Sequence, residues 1–172
     1  HLLRIAVNKK FISIVLRKRV KTDLNLNLNL INYKRFKPEF KNLKYKKILS
    51  FLKKIDTKGT DLVLCVKNQI LETATSNILF VSQGQIYSPV SKFYKGITLK
   101  FFEKTLKKII KKKIYLTDLY KYDEIILVGS GKGVATVKFV NGYNWKRKSL
   151  KTFKTLSKIY NKAVTNCDPY NC

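Results

Sequence analysis

Glu72-Thr73-Ala74-Thr75-Ser76-Asn77-Ile78-Leu79-Phe80-Val81 sets one carboxylate ahead of three hydroxyl residues, an amide and an apolar run. Glu72 is the one charge between Gln69 and Gln83. A carboxylate in such surroundings is costly to bury unless a cation or a proton meets it. Two readings stay open: a strand-end acid paired with one of the many lysines, or an acid kept for chemistry. The pattern reads as a strand over 70–81. On its upstream side Asp61-Leu62-Val63-Leu64-Cys65-Val66 is a buried-type strand turned back by Lys67-Asn68-Gln69. On its downstream side Ser82-Gln83-Gly84-Gln85 is a hairpin turn into a further strand over 86–90.

Helical spacing appears farther out. Leu43, Ile48, Leu49 and Leu52 predict a helix to about Lys54, broken by Lys58-Gly59-Thr60. Leu99, Phe102, Leu106, Ile109 and Ile110 share one helical face and predict a helix from Leu99 to about Lys112. Thr117-Asp118-Leu119 precedes a short helical turn. Strands are expected over 124–128 and 134–140, with a turn at Asn141-Gly142 and a basic helix over 149–163. Near the start, residues 2–7 and 11–16 read as short strands. Leu24 to Leu30 alternates Leu with Asn, which puts all four leucines on one strand face. The whole is a mixed α/β chain.

At 172 residues with 45% hydrophobic and 12% aromatic residues, a folded domain with its own core is expected. No apolar run reaches the length of a membrane span, and no secretory signal is visible. Cys65, Cys167 and Cys172 make no paired framework, which fits a reducing compartment such as the cytoplasm, and their spacing does not suit zinc. The net charge of +27 raises a basic nucleic-acid-binding domain as an alternative function. The lysines are dispersed rather than gathered on one stripe, which speaks against nucleic acid as the partner. The chain begins at His1 and has no methionine, so a missing upstream segment or modified residues are expected.

Three places invite a chemical reading. Gly96-Ile97-Thr98 opens a helix, where backbone N–H groups and a hydroxyl converge on the positive end of a dipole, as a phosphate requires. An ordinary helix start reads the same way. Gly129-Ser130-Gly131-Lys132-Gly133 follows a strand, but Gly133 stands where the phosphate loop of nucleotide hydrolases has Ser or Thr. It remains a turn able to meet an anion, or a plain turn. Lys41 is one lysine among many. With Glu72 and two candidate phosphate loops it completes what a pyridoxal phosphate enzyme needs: an amine, a carboxylate for the pyridinium nitrogen, and donors for a phosphate.

In order and spacing, Lys41-Asn42-Leu43-Lys44-Tyr45, Gly59-Thr60-Asp61-Leu62, the Glu72 to Val81 stretch, Lys95-Gly96-Ile97-Thr98 and Gly129-Ser130-Gly131-Lys132-Gly133-Val134 resemble the class IV aminotransferases. That group holds branched-chain and D-amino acid aminotransferases and 4-amino-4-deoxychorismate lyase. The resemblance implies pyridoxal 5'-phosphate as cofactor, Lys41 as the Schiff-base lysine and proton carrier, and Glu72 at the pyridinium nitrogen. It implies phosphate binding by Ile97 and Thr98 and by Ser130 and Gly131, with Tyr45 near the cofactor. It further implies the lysine-bearing C-terminal domain of the D-amino acid aminotransferase-like fold over 36–172. Residues 1–35 would be a connecting segment with the first strands, and the N-terminal domain would be largely missing. The implied partners are a small molecule, either an amino acid or aminodeoxychorismate, and a second copy in a homodimer, with no membrane. The spacing after Lys41 is more like the lyase and D-amino acid branch; transamination is the alternative. Lys44 and Leu99 depart from the family pattern, which often has Asn and Arg there.

Overall fold

A computed structural model describes residues 2–18 and 23–166. Cys167 and Cys172 lie outside the described residues.

Two strands at the start form a sheet of their own, β1 (Leu2–Val7) and β2 (Ile12–Arg17), antiparallel and joined through Asn8. The Asn8 side chain closes the turn by accepting from the backbone N–H groups of Lys10 and Phe11. Residue pairing sets Leu3 opposite Leu16, Ile5 opposite Ile14 and Val7 opposite Ile12. These six aliphatic side chains therefore share one face, and all are exposed.

Among the described residues, the other strands form a single ten-stranded sheet. β3 (Asn25–Asn32) is followed by α1 (Lys46–Leu52), β4 (Thr60–Val66), β5 (Gln69–Thr73), β6 (Asn77–Ser82) and β7 (Gln85–Pro89). Then come α2 (Ile97–Thr105), β8 (Ile110–Lys112), β9 (Ile114–Tyr115), a 3-10 helix (Leu116–Lys121), β10 (Glu124–Gly129), β11 (Gly133–Val140), β12 (Trp145–Lys146) and α3 (Lys151–Thr165). The strand order is β8-β7-β6-β10-β11-β3-β4-β5-β9, with β12 on β11. β3 precedes residue 36 but runs parallel between β11 and β4, so its hydrogen bonds join it to the body that follows.

Alternation along the strands sorts the core into two sides. Leu26, Leu28, Val63, Cys65, Ile125, Leu127 and Val137 face one way, over Phe80 and Trp145. Ile126, Val128 and Val134 face the other way and are covered by Leu99 and Phe102 of α2 and Leu156 of α3. Leu62 and Leu64 also face that second side, under Ile48 of α1. Burying a side chain such as Phe80 or Phe102 completely contributes about 2–3 kcal/mol. Leu26 and Leu28 are buried and Leu30 is packed on the same cluster, as the Leu–Asn alternation predicts, whereas Leu24 precedes the strand and is exposed.

Two expected elements are different in the structure. The strand expected over 70–81 is two strands, β5 and β6, with a turn at 74–76 between them. Hydroxyl chemistry makes the break: the Thr73 backbone N–H donates to Ser76 O, and the Ser76 N–H donates to Thr73 Oγ1. The helix expected to Lys112 ends at Thr105, and Ile110–Lys112 forms β8, parallel to β7. Leu106 is already extended at φ −89°, ψ 145°. Lysines at 107, 108, 111, 112 and 113 would repel along a continued helix, while paired isoleucines suit a strand edge.

Glu124 shows how a buried acid can be purely structural. It is 1% exposed and receives the N–H groups of Thr152 and Phe153, each at 2.8 Å, at the start of α3. It is a cap supplied from another strand, and it fixes α3 against β10. Among the described residues, no helix is long and apolar enough to cross a membrane.

Candidate functional site

Glu72 pairs with Leu64 across the β4–β5 ladder, so it faces the side that carries α1 and α2. It is 3% exposed. Its partner is an arginine rather than a lysine: Arg35 Nε donates to Glu72 Oε1 at 2.8 Å. The same guanidinium donates to Ala74 O at 2.6 Å, so Arg35 holds both the acid and the turn behind it. Burial outweighs the opposing Arg35 charge, Arg35 hydrogen bond and backbone N–H of Tyr94 and leaves the Glu72 carboxyl raised to about 7.

Tyr94 is also where Lys41 arrives. The Lys41 side chain is exposed, and its Nζ lies 5.6 Å from the centre of the Tyr94 ring. One residue therefore meets the amine through its ring and the buried acid through its backbone. Asn77 fixes that residue in place. Its Nδ2 donates to Tyr94 O at 2.6 Å, and its Oδ1 accepts the Gly96 N–H at 2.9 Å. A Cβ on Gly96 would sit 3.0 Å from Asn77 Oδ1, so a side chain there would press on the amide that holds Tyr94. The chain then enters α2, where Ile97 is exposed and Thr98 is buried. Its N-cap is Gly96, which has no side chain to cap the first turn. Glu103 on α2 pairs with Lys95 and with Lys111 of β8, which anchors the segment on its outer side.

The second candidate loop lies at the end of β10. Ser130 and Gly131 are exposed in the turn from β10 to β11. The turn stands against Ser76, whose Oγ would be 3.2 Å from a Cβ on Gly129. Glu72, Asn77 and this turn are thus all tied to the short break between β5 and β6. Tyr45 packs with Tyr33 and Phe51 over Ile48, and its hydroxyl accepts a hydrogen bond from Arg4 of β1 at 2.9 Å. Among the described residues, no group of three or more His, Cys, Asp or Glu side chains gathers as a metal site would require.

The profile of the family described as amino-transferase class IV matches residues 11–140. The chain belongs to this class IV aminotransferase family. No curated protein sequence matches it. Solved structures with the same fold include a branched-chain aminotransferase from the archaeon Thermoproteus uzoniensis, at 15% identity and TM-score 0.73, covering 92% of this chain and 58% of that one. An aminotransferase from Brucella abortus, bound to the cofactor PLP, is 18% identical with TM-score 0.71, covering 90% and 59%. A Legionella pneumophila protein assigned as a 4-amino-4-deoxychorismate lyase is 15% identical with TM-score 0.70, covering 88% and 60%. The chain therefore spans less than two thirds of each of these class IV relatives.

Sequence reasoning did not single out Arg35, Tyr94 or the double role of Asn77. Arg35 lies 37 positions from Glu72, and nothing local marks it among so many cations. Tyr94 could be suspected only from its place two residues before Gly96.

Proposed function

We propose that this chain carries the lysine-bearing half of a pyridoxal 5'-phosphate enzyme, and that the enzyme is a 4-amino-4-deoxychorismate lyase releasing 4-aminobenzoate and pyruvate. The observation that carries this reading is the meeting of Lys41 and Glu72 on Tyr94, at the entry to α2. The residues present fit the cofactor. A buried carboxylate whose Arg35 contact uses one oxygen keeps acceptor capacity for a ring N–H. A helix start with glycine at its N-cap and a turn with two glycines would direct backbone N–H groups at a phosphate.

When bound, pyridoxal phosphate supplies an aldehyde that joins amines and a ring that draws electrons from a substrate carbon. Lys41 would be the amine that holds it and the group that carries the proton at the substrate carbon. Glu72 would accept from the ring N–H, and the Arg35 charge favours its ionised form against the burial that raises it. Ile97 and Thr98 would hold the phosphate through their N–H groups and the Thr98 hydroxyl, with Ser130 and Gly131 as the second phosphate loop. Tyr45 borders the cofactor. The lyase assignment within the family is supported by the spacing of Asn42-Leu43-Lys44-Tyr45 after Lys41. The same resemblance supports a cytoplasmic homodimer acting on a small molecule, with residues 36–172 as the cofactor-binding domain.

Titration with pyridoxal phosphate tests this reading. A new absorbance band that borohydride makes permanent, and that Lys41→Ala abolishes, is expected. Steep, salt-dependent duplex binding with no band would overturn it in favour of a nucleic-acid-binding domain. Release of pyruvate and 4-aminobenzoate from aminodeoxychorismate marks the lyase. Exchange of amino groups between an amino acid and a 2-oxo acid marks the aminotransferase instead.

A further inference from the structure

Asp61 is fully buried, and the Lys132 side chain is 7% exposed. Their separation is 3.3 Å, from Lys132 Nζ to Asp61 Oδ2. The same oxygen accepts from Thr73 Oγ1 at 2.9 Å and from Thr75 Oγ1 at 2.6 Å, and Oδ1 accepts the Leu62 N–H at 2.8 Å. A chain with 37 lysines and arginines has no shortage of solvated cations. Withdrawing one from water is costly, and the cost is met only by close pairing and full hydrogen bonding.

The location of the pair suggests its use. Asp61 shares the sheet side of Val63 and Cys65, whereas Glu72 faces the opposite side. The pair therefore stands behind the strand that carries Glu72. It joins two segments remote in sequence, the turn at 74–76 and the turn at 130–132. The backbone N–H of Lys132 donates to Gly129 O at 3.2 Å, closing that second turn, while its side chain reaches back to Asp61. Ser130 and Gly131 lie between these two attachments. A turn with two glycines is expensive to order, and a ready-made anion site must be ordered before the anion arrives. The charge of Lys132 is offset by Asp61, so the pair orients donors rather than adding net charge.

We propose that Asp61 and Lys132 are positioning residues, an ionic clamp that holds the Gly129-Ser130-Gly131 turn in place for the cofactor's phosphate. The proposal rests on the site reading above. Neither residue touches the reacting atoms. The clamp acts on phosphate recognition and not on the ring or its aldehyde.

The test uses Asp61→Asn, Lys132→Gln and the double variant. Each is titrated with pyridoxal phosphate and with pyridoxal, which has the same ring and aldehyde but no phosphate. Amide hydrogen exchange is measured on the cofactor-free proteins. Each single variant should bind pyridoxal phosphate about tenfold more weakly, the scale of one lost charge-assisted contact, with pyridoxal affinity unchanged. The double variant should be no worse than the singles, and exchange should quicken at residues 129–132. Equal losses for both compounds, or an unchanged affinity for pyridoxal phosphate, would overturn the clamp. If the unaltered protein binds neither compound, the cofactor reading itself falls. The exchange data then decide the clamp separately: unchanged rates at 129–132 overturn it, and faster rates confined there uphold it. Should a single variant fail to fold, Thr75→Val, at an exposed position whose hydroxyl donates to Asp61, must give the same selective loss in weaker form.

Discussion

Replacing Glu72 by Gln keeps the shape of a buried side chain and removes its titration. Burial holds the Glu72 carboxyl near 7 in the folded chain, against an ordinary 4.5, despite the pull of Arg35. Between those two values the folded chain keeps a proton that the unfolded chain has lost. Folded protein binds more protons in that window, so stability falls as pH rises from 4.5 to about 7 and then stays level. The span corresponds to about 3 kcal/mol, at roughly 1.4 kcal/mol for each pH unit. The amide of the variant has no such window, and its carbonyl still accepts from Arg35 at every pH. Every other charge is common to both proteins and cancels in the difference. Urea unfolding of the cofactor-free proteins, at steps from about pH 4 to about pH 8, measures it. Relative to the native chain, the Glu72→Gln variant should gain about 3 kcal/mol across the series, most of it below pH 7. A difference curve flat to within about 0.5 kcal/mol would refute the picture of an acid held up by burial.

Other variants probe the surroundings. Asn77→Ala removes the bonds to Tyr94 O and the Gly96 N–H; it should cost about 1–3 kcal/mol in urea unfolding and weaken pyridoxal phosphate binding, read by absorbance. Phe102→Ala leaves a void between α2 and the sheet and should cost about 3–5 kcal/mol in the same assay. Cys65 is a buried thiol pushed up to about 12 by burial, so in a Cys167→Ser, Cys172→Ser background a thiol reagent at mildly alkaline pH should label it only after denaturant is added.

The parts legible in the sequence are those governed by neighbours along the chain. The hairpin from β4 to β5 follows from Lys67-Asn68, both of which adopt left-handed backbone at φ 48° and 63°. The Leu–Asn alternation of β3 marked its buried side correctly. The break at 74–76 is made by Thr73 and Ser76, but it was hidden because the groups that hold those residues in place, Asp61 and Arg35, come from other strands and loops. β8 was hidden because its partner β7 lies across a helix, and helical spacing of Leu99, Phe102 and Leu106 continues by coincidence into Ile109 and Ile110. At the site, Glu72 stood out by its uncharged setting, and Lys41, one lysine among many, only by its company with Glu72 and two candidate phosphate loops. Their common neighbour Tyr94 did not, since a ring contact and a backbone N–H leave no trace in a sequence pattern.

Glu72 and Thr73 are consecutive, yet they serve opposite sides of the sheet, one turned to Arg35 and the other to Asp61. Gain or loss of one residue within β5 would exchange them, presenting a hydroxyl to Arg35 and driving a second carboxylate against Asp61. Length variation in descendants of this chain should accordingly be absent from β5 and collect in the Lys67-Asn68 bend, where an insertion leaves both assignments intact.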